Sequence, residues 1–269
     1  MAKNLNLIVC GAGGRMGTAV VRAIQQSAGT ALVAAIDKAG SPRLGKDAGE
    51  ISAAGNLGIT VSDNIEPYLK PGTVIIDFTR PEASLTYIRA AAKKAVPIVV
   101  GTTGFDPRQT AQIKRLSRRT PALLSANTSL GVNVLVSLLG TAAKLLGDDY
   151  DVEIVEAHHR FKKDAPSGTA LALGRAIAGA LNRDLDKVSI HGRKGIVGER
   201  SEKEIALLSV RAGDIVGEHT VIFGGVGERL EFVHRAHSRD TFAHGAIRAA
   251  RWLARQNAGL YGMQDVLRL

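Results

Sequence analysis

An apolar run that breaks into spaced glycines constrains this chain more than any other feature. In LIVCGAGGRMG, residues 7–17, a short β-branched run stops at Gly11. Gly14 and Gly17 follow at intervals of three, and a helical pattern starts at Arg15 or Met16. Met16 stands where a strict G-x-G-x-x-G motif has its last glycine. Small residues allow a tight turn and a close backbone approach to pyrophosphate, and a helix start offers amide protons to it. The next apolar run, ALVAAID, ends in Asp37, about twenty residues on, where an acid holds a ribose hydroxyl in such units. Strand, loop, helix, strand and acid together point to dinucleotide binding; the plainer reading is a structural turn with Asp37 closing a strand. Lys38 follows at once. An acid repels a 2′-phosphate and a base attracts one, so NADH and NADPH both stay open.

The same rhythm continues. LNLIVC, ALVAAID, TVIIDF, VPIVVGTT and PALLSAN read as buried strands, with helical patterns at about Met16–Ser27, Pro81–Lys94 and Pro107–Arg119. Such alternation predicts an α/β fold, a Rossmann-like doubly wound parallel sheet. Gly101 to Gly104 (GTTG) and Ser125 to Ser129 (SANTS) follow two of these strands, at the carboxyl edge where such sheets bind ligands. After Asn127 the pattern changes. GVNVLVSLLGTAAKLLG has helical spacing through Val132, Leu135, Leu138, Leu139, Ala142 and Leu146; DVEIVEAHH reads as a strand and GTALALGRAIAGAL as a helix. EKEIALLSVRA, EHTVIFG and ERLEFVHRA follow with short turns, as antiparallel strands do, and Gly224 to Gly227 reads as a hairpin turn. TFAHGAIRAARWLAR is a closing amphipathic helix. The expected division is a dinucleotide-binding domain of residues 1–129 and 238–269, and a second α+β domain with a mixed sheet, 130–237.

The net charge of +10 raises nucleic acid as a partner, but the basic residues are dispersed, with no arginine-rich tail or zinc finger. A basic protein with anionic small-molecule ligands is the favoured reading. The single cysteine, Cys10, excludes an internal disulfide and fits a reducing, cytoplasmic compartment. The apolar stretch near the N-terminus is too short for a signal peptide and leads into the glycine loop. The uncharged run Leu130 to Ala143 is expected to fall short of the roughly 20 residues a membrane span needs. No membrane and no nucleic acid are expected as partners.

EAHHRFKKDAPSGTA, Glu156 to Ala170, asks for chemistry. His158 and His159 end a strand and should face opposite sides, which argues against a shared metal; no H-E-x-x-H or C-x-x-C pattern is present, so no metal is expected. One imidazole can exchange a proton near neutral pH. Arg160, Lys162 and Lys163 add cations. Asp164 or Ser167 can cap the following helix, with Pro166 in its first turn, and amides from Ser167 to Thr169 would form an anion site. A proton donor beside a carboxylate site, with a hydride carrier, describes a reductase of a small acidic substrate. Two other readings stay open: a different amino- or keto-acid dehydrogenase, and a nucleotide-sensing regulator bound to nucleic acid.

GAGGRMG, IDFTRPE, GTTGF, EAHHRFKKDAPSGTA and RAGDIVGEHTV together resemble the 4-hydroxy-tetrahydrodipicolinate (dihydrodipicolinate) reductase family over nearly the whole chain. The resemblance implies NADH- or NADPH-dependent reduction of a cyclic imine dicarboxylate in lysine and diaminopimelate biosynthesis. It makes His158 the general acid and Lys162 a second proton donor. His159, Ser167, Gly168, Thr169 and Thr103 become substrate contacts. Gly11, Ala12, Gly13, Gly14, Arg15 and Met16 become cofactor positions, with Asp37 and Lys38 at the ribose. Gly101, Thr102 and Thr103, then Ser125, Ala126, Asn127 and Thr128, join them, and Arg80 approaches the cofactor. The family is typically a homotetramer through its second domain. The chain departs from it in having Lys38 where an arginine is frequent, and in ANTS where an aromatic version is usual.

Overall fold

The computed structural model describes residues 4–268; residues 1–3 and 269, which the expected first domain includes, lie outside the described residues. The chain opens with β1 (Leu5–Cys10), α1 (Arg15–Gln26), β2 (Thr30–Ile36), α2 (Ala48–Ile51), β3 (Val61–Ser62) and β4 (Thr73–Asp77). It continues with α3 (Pro81–Lys94), β5 (Ile98–Val100), α4 (Pro107–Leu116), β6 (Pro121–Leu124) and α5 (Leu130–Leu146). Next come β7 (Asp151–His158), α6 (Gly168–Ala180), α7 (Leu185–Val188), β8 (Ser189–Ile190) and β9 (Ile205–Arg211). β10 (Gly217–Gly224), β11 (Arg229–Ala236), α8 (Asp240–Leu253), β12 (Gly259–Tyr261) and α9 (Met263–Leu267) complete it. The described chain separates into two compact units: residues up to Leu130 with Arg239–Arg268, and Gly131–Ser238.

In the first unit the described strands form a seven-stranded sheet, β12-β6-β5-β4-β1-β2-β3, paired in parallel throughout. A parallel sheet is covered on both faces, so its strands read as continuous apolar runs. Successive residues of β1 alternate between two cores. Leu7 and Val9 join α1 and α8 on one face; Ile8 and Cys10 join α3 on the other. The order reverses at β1, which has β2 on one side and β4 on the other. That reversal is where doubly wound sheets open a ligand crevice, beyond the carboxyl ends of the strands. Helix α8 brings Ala243, Ala246, Ala250 and Leu253 into the core shared with α1.

The second unit holds a mixed five-stranded sheet, β11-β10-β7-β9-β8. Here one expectation is corrected. β9, β10 and β11 do not run side by side as an antiparallel meander; β10 pairs antiparallel with β11 and with β7, while β9 lies on the far side of β7, parallel to it. The cause is the crossover through α6. A parallel neighbour needs a connection of a dozen or more residues, usually helical, and the stretch from β7 to β9 supplies it. β10 and β11 do form the expected hairpin, with Gly225 N–H bonded to the Glu228 carbonyl at 3.0 Å and Gly227 at φ +84°.

Helix α5 corrects a second expectation. With the turn that follows, it runs 20 residues, Leu130–Asp149, which by length and composition alone suffices to cross a bilayer. Lys144 does not stop it, because Leu145 and Leu146 carry the helix on. Leu135, Leu139 and Ala143 form its buried stripe, packed with Ile154, Leu173 and Ile177 in the second unit's core.

Candidate functional site

The glycine loop turns at Gly11, whose φ is +72°. Ala12 N–H donates to the Ile36 carbonyl (3.0 Å) and Gly14 N–H to the Gly11 carbonyl (2.9 Å), which ties the loop to β2 and to itself. Gly14 caps α1 without a side-chain hydrogen bond, and Arg15 and Met16 open the helix. The α1 start therefore presents amide protons that no cap consumes. Gly17 is held against the loop: a Cβ there would lie 2.0 Å from the Gly11 carbonyl oxygen and 2.7 Å from Ala12 Cα. Asp37 follows β2 directly, with its carboxylate against the loop, since a Cβ at Gly13 would fall 2.5 Å from Asp37 Oδ2. Lys38 N–H and Ser41 Oγ hold that carboxylate at 2.8 and 3.0 Å. Lys38 itself is exposed. These features fit a dinucleotide: a loop of small residues, uncapped amides and an acid one strand over.

Behind the loop sits a polar knot. Asp77, fully buried at the end of β4, accepts from Thr79 N–H (3.1 Å) and Thr79 Oγ1 (2.6 Å), and burial raises its pKa. Its carbonyl receives Gly101 N–H at 2.8 Å, and Ser84 Oγ donates to Thr102 Oγ1 at 2.8 Å. Thr102 is thus buried, while Thr103 is exposed beside it. Arg80 is exposed at the start of α3. In the next loop Ser125 Oγ donates to the Asn127 carbonyl (2.7 Å) and Asn127 Oδ1 accepts from Ser129 N–H (2.8 Å). Ala126 is exposed, whereas Thr128 is buried and gives its hydroxyl proton to the Phe242 carbonyl (2.7 Å).

In the second unit, residues two apart on a strand share a face, and β7 places Glu156 and His158 together. Glu156 is completely buried, and its Oε2 stands 2.5 Å from His158 Nδ1. Arg211 grips the same carboxylate with both terminal nitrogens, at 2.8 Å each, and reaches the Asp164 carbonyl at 2.6 Å. Ser167 N–H donates to Glu156 Oε1 at 3.1 Å, so this amide is not open to an external anion as expected; a buried carboxylate needs the donor. Ser167 is the cap of α6, its Oγ accepting from Ala170 N–H at 3.1 Å. Two details are corrected. Asp164 is not the cap; it faces Lys162 Nζ at 2.9 and 2.8 Å. Pro166 precedes the cap, after a cis Ala165–Pro166 bond, and is not in the first helical turn. Gly168 and Thr169 open the helix. His159 is half-buried against Phe161, its ring 6.3 Å away, with Nδ1 buried and unbonded. No group of three or more His, Cys, Asp or Glu side chains among the described residues is arranged to hold a metal ion.

Charge in this cluster is strongly shaped by its surroundings. Burial works against the Glu156 carboxylate, but Arg211 and His158 outweigh it and hold its pKa at about 2. His158 is lowered, first by burial and then by Lys162 and Arg211, against the pull of Glu156. His219 on β10, whose ring lies 5.3 Å from that of His158 and whose Nε2 is 3.2 Å from Ser167 Oγ, is pushed by burial down to about 3. An unfolded chain protonates this imidazole near 6.5, so between about 6.5 and 3 the unfolded state binds the extra proton. Stability present above 6.5 is lost as pH falls through that window, and Glu156 adds a second loss between about 4.5 and 2. Urea unfolding from pH 7 to 4 is expected to show falling stability. His219→Leu should flatten the slope by up to about 1.4 kcal/mol per pH unit; an unchanged slope would mean His219 takes up its proton in the folded state.

Glu156, Arg211, His219 and Arg43 had no role in the sequence reading. Glu156 had a signal, being two residues from His158 on a strand. Arg211 opens the quoted RAGDIVGEHTV segment, but its partner follows only from the register that sets it, on β9, opposite His158. Arg43 flanks the glycine loop, its Cγ 2.7 Å from a Cβ built on Gly13.

Comparison with known proteins adds to this geometry. A family model described as dihydrodipicolinate reductase, N-terminus, matches residues 5–128, and one described as dihydrodipicolinate reductase, C-terminus, matches residues 131–267. The 4-hydroxy-tetrahydrodipicolinate reductase of Syntrophus aciditrophicus is 52% identical over 263 residues, covering 98% of each chain. That of Thiobacillus denitrificans is 50% identical over 266 residues, covering 99% of each. Among solved structures, a dipicolinate-bound dihydrodipicolinate reductase from Paenisporosarcina sp. TG-14 shares the fold, with a TM-score of 0.73 at 23% identity over 97% of this chain and 99% of that one.

Proposed function

The chain belongs to the dihydrodipicolinate reductase family, and we propose that it reduces 4-hydroxy-tetrahydrodipicolinate to tetrahydrodipicolinate, with loss of water, using NADH or NADPH. The step belongs to lysine and diaminopimelate biosynthesis in the cytoplasm. The observation that carries this reading is the conjunction, within residues 156–170, of a carboxylate-held imidazole, an ammonium and a capped helix start.

The first unit binds the cofactor. Amides at the start of α1 receive the pyrophosphate, and Asp37 accepts from the ribose. Asp37 suits an unphosphorylated ribose, while Lys38 and Arg43 beside it suit a 2′-phosphate, so this reading takes either nucleotide. Arg80, Gly101 to Thr103 and Ser125 to Thr128 border the nicotinamide end. Reduced nicotinamide, when bound, supplies the hydride. The second unit binds the dicarboxylate through His159, Lys162 and the amides of Gly168 and Thr169, with Ser167 shaping the helix start. His158 donates a proton from Nε2 as electron density builds on the ring, and Lys162 is the second donor. Burial keeps His158 a weak base in the free protein. A doubly negative ligand reverses that balance, so the acid is charged when substrate arrives. The exposed Val210, Leu230 and Val233 of the second unit's sheet support self-association into a tetramer through this unit.

The test is direct. Aspartate semialdehyde, pyruvate and the upstream synthase are mixed with the protein, and NADH or NADPH absorbance is followed. No oxidation of either cofactor would remove the proposal. Dipicolinate should compete with substrate. Lys162→Ala is expected to lose about 10²-fold in turnover and to raise KM; equal activity without the ammonium would take Lys162 out of the mechanism.

A further inference from the structure

We propose that Glu156 is a positioning residue that fixes the proton of His158 on Nδ1 and leaves Nε2 as the exchanging atom, with Arg211 as the counter-charge that keeps Glu156 ionised. The two oxygens of Glu156 meet four nitrogen donors, His158 Nδ1 at 2.5 Å, two Arg211 nitrogens at 2.8 Å and Ser167 N–H at 3.1 Å, and the Ser209 hydroxyl opposite on β9 also bonds the carboxylate. A carboxylate offers about four acceptor sites, so this set saturates it and leaves no place for a proton of its own. Glu156 is therefore acceptor-only, and the ring nitrogen facing it must be a donor. That settles the tautomer.

The other ring nitrogen has room. Gly217 lies beside it, and a Cβ built there would stand 3.0 Å from His158 Nε2. Any larger residue would press on that atom. The groups facing the ring are Glu156 on its own strand, Arg211 on β9, His219 on β10 and Lys162 in the following loop. Glu156 is the one negative charge among them. Arg211 also bonds the Asp164 carbonyl, and Asp164 in turn holds Lys162. One buried carboxylate thus sets the imidazole, the first amide of the α6 cap and, through Arg211, the segment bearing the ammonium. The geometry concerns protons on the free protein; the consequence for turnover rests on the reductase reading.

Nitrogen-15 NMR of histidine-labelled full-length protein tests this, with His158 assigned by loss of its signals in His158→Gln. In the wild type, Nδ1 should stay protonated from pH 5 to 9 while Nε2 titrates; a neutral ring protonated on Nε2 overturns the proposal and needs no further variant. In Glu156→Gln, which keeps the shape and removes the charge, the titration of His158 should move down by roughly one pH unit or more, a tenfold loss of proton affinity. The acid-requiring limb of the kcat/KM profile should move with it, with NADH affinity unchanged. An unmoved His158 titration in folded Glu156→Gln overturns the proposal. If the tautomer and titration behave as stated but no reductase activity exists, the functional reading fails and the role of Glu156 stands.

Discussion

Replacing His158 with glutamine is expected to cut turnover by about 10²–10⁴-fold, the usual contribution of a positioned acid, while NADH binding stays near wild type. Glutamine fills much of the same space and hydrogen-bonds, but its amide cannot give up a proton as an acid near neutral pH. Its amide can still donate to Glu156, so the buried carboxylate keeps a partner and the fold is spared the larger cost of an unpaired charge. The glycine loop belongs to the other compact unit. Stopped-flow turnover and NADH titration separate the outcomes. Collapse of cofactor binding together with activity would make His158 a structural residue and not the acid.

Gly17→Ala is expected to do the reverse: NADH affinity falls steeply while the second unit keeps its fold. The added methyl would sit 2.0 Å from the Gly11 carbonyl oxygen and 2.7 Å from Ala12 Cα. Both are backbone atoms, so no rotamer change relieves the clash and the loop must leave the helix. Overpacking of this kind costs about 1–3 kcal/mol, which corresponds to about five- to 150-fold in Kd if it falls on the bound state. Gly168→Ala is the matched control, because nothing lies within 4 Å of a Cβ at that position. Titration of NADH fluorescence with both variants decides the matter. Wild-type affinity in Gly17→Ala would show that the loop does not carry the nucleotide.

Much of the first unit was legible because of how its sheet is solvated. Strands buried on both faces leave apolar runs that no surface element has, and Pro81 and Pro107 mark helix starts where a missing amide proton costs nothing. The place of β9 was not legible. Only five residues separate it from β10, and short spacing suggests neighbours, but the sheet order was decided by the crossover through α6. The displaced strand hid what Arg211 binds. Arg211 meets Glu156 because β9 runs parallel to β7, in a register that sets Arg211 opposite His158. The helix of α5 was legible from its spacing, but its apolar span was not: the uncharged run stops before Lys144, whereas Leu145 and Leu146 continue the helix past that single charge. At the α6 start Ser167 is the cap, one of the two expected, while two other partners differ from expectation. Asp164 prefers an ammonium two residues away to an amide, and Ser167 N–H goes to a carboxylate eleven residues upstream.

The return of α8 and β12 to the first sheet has a consequence for biosynthesis on the ribosome. Residues 131–238 emerge before the segment that covers one face of β4 and β5 and pairs along β6. Until that last stretch leaves the exit tunnel, Val20, Ile24, Val74 and Ile76 lack Ala246, Ala250 and Leu253 as neighbours. The nascent first unit therefore waits with an apolar face uncovered while the inserted unit can already close. That interval is when chaperones have the most to hold.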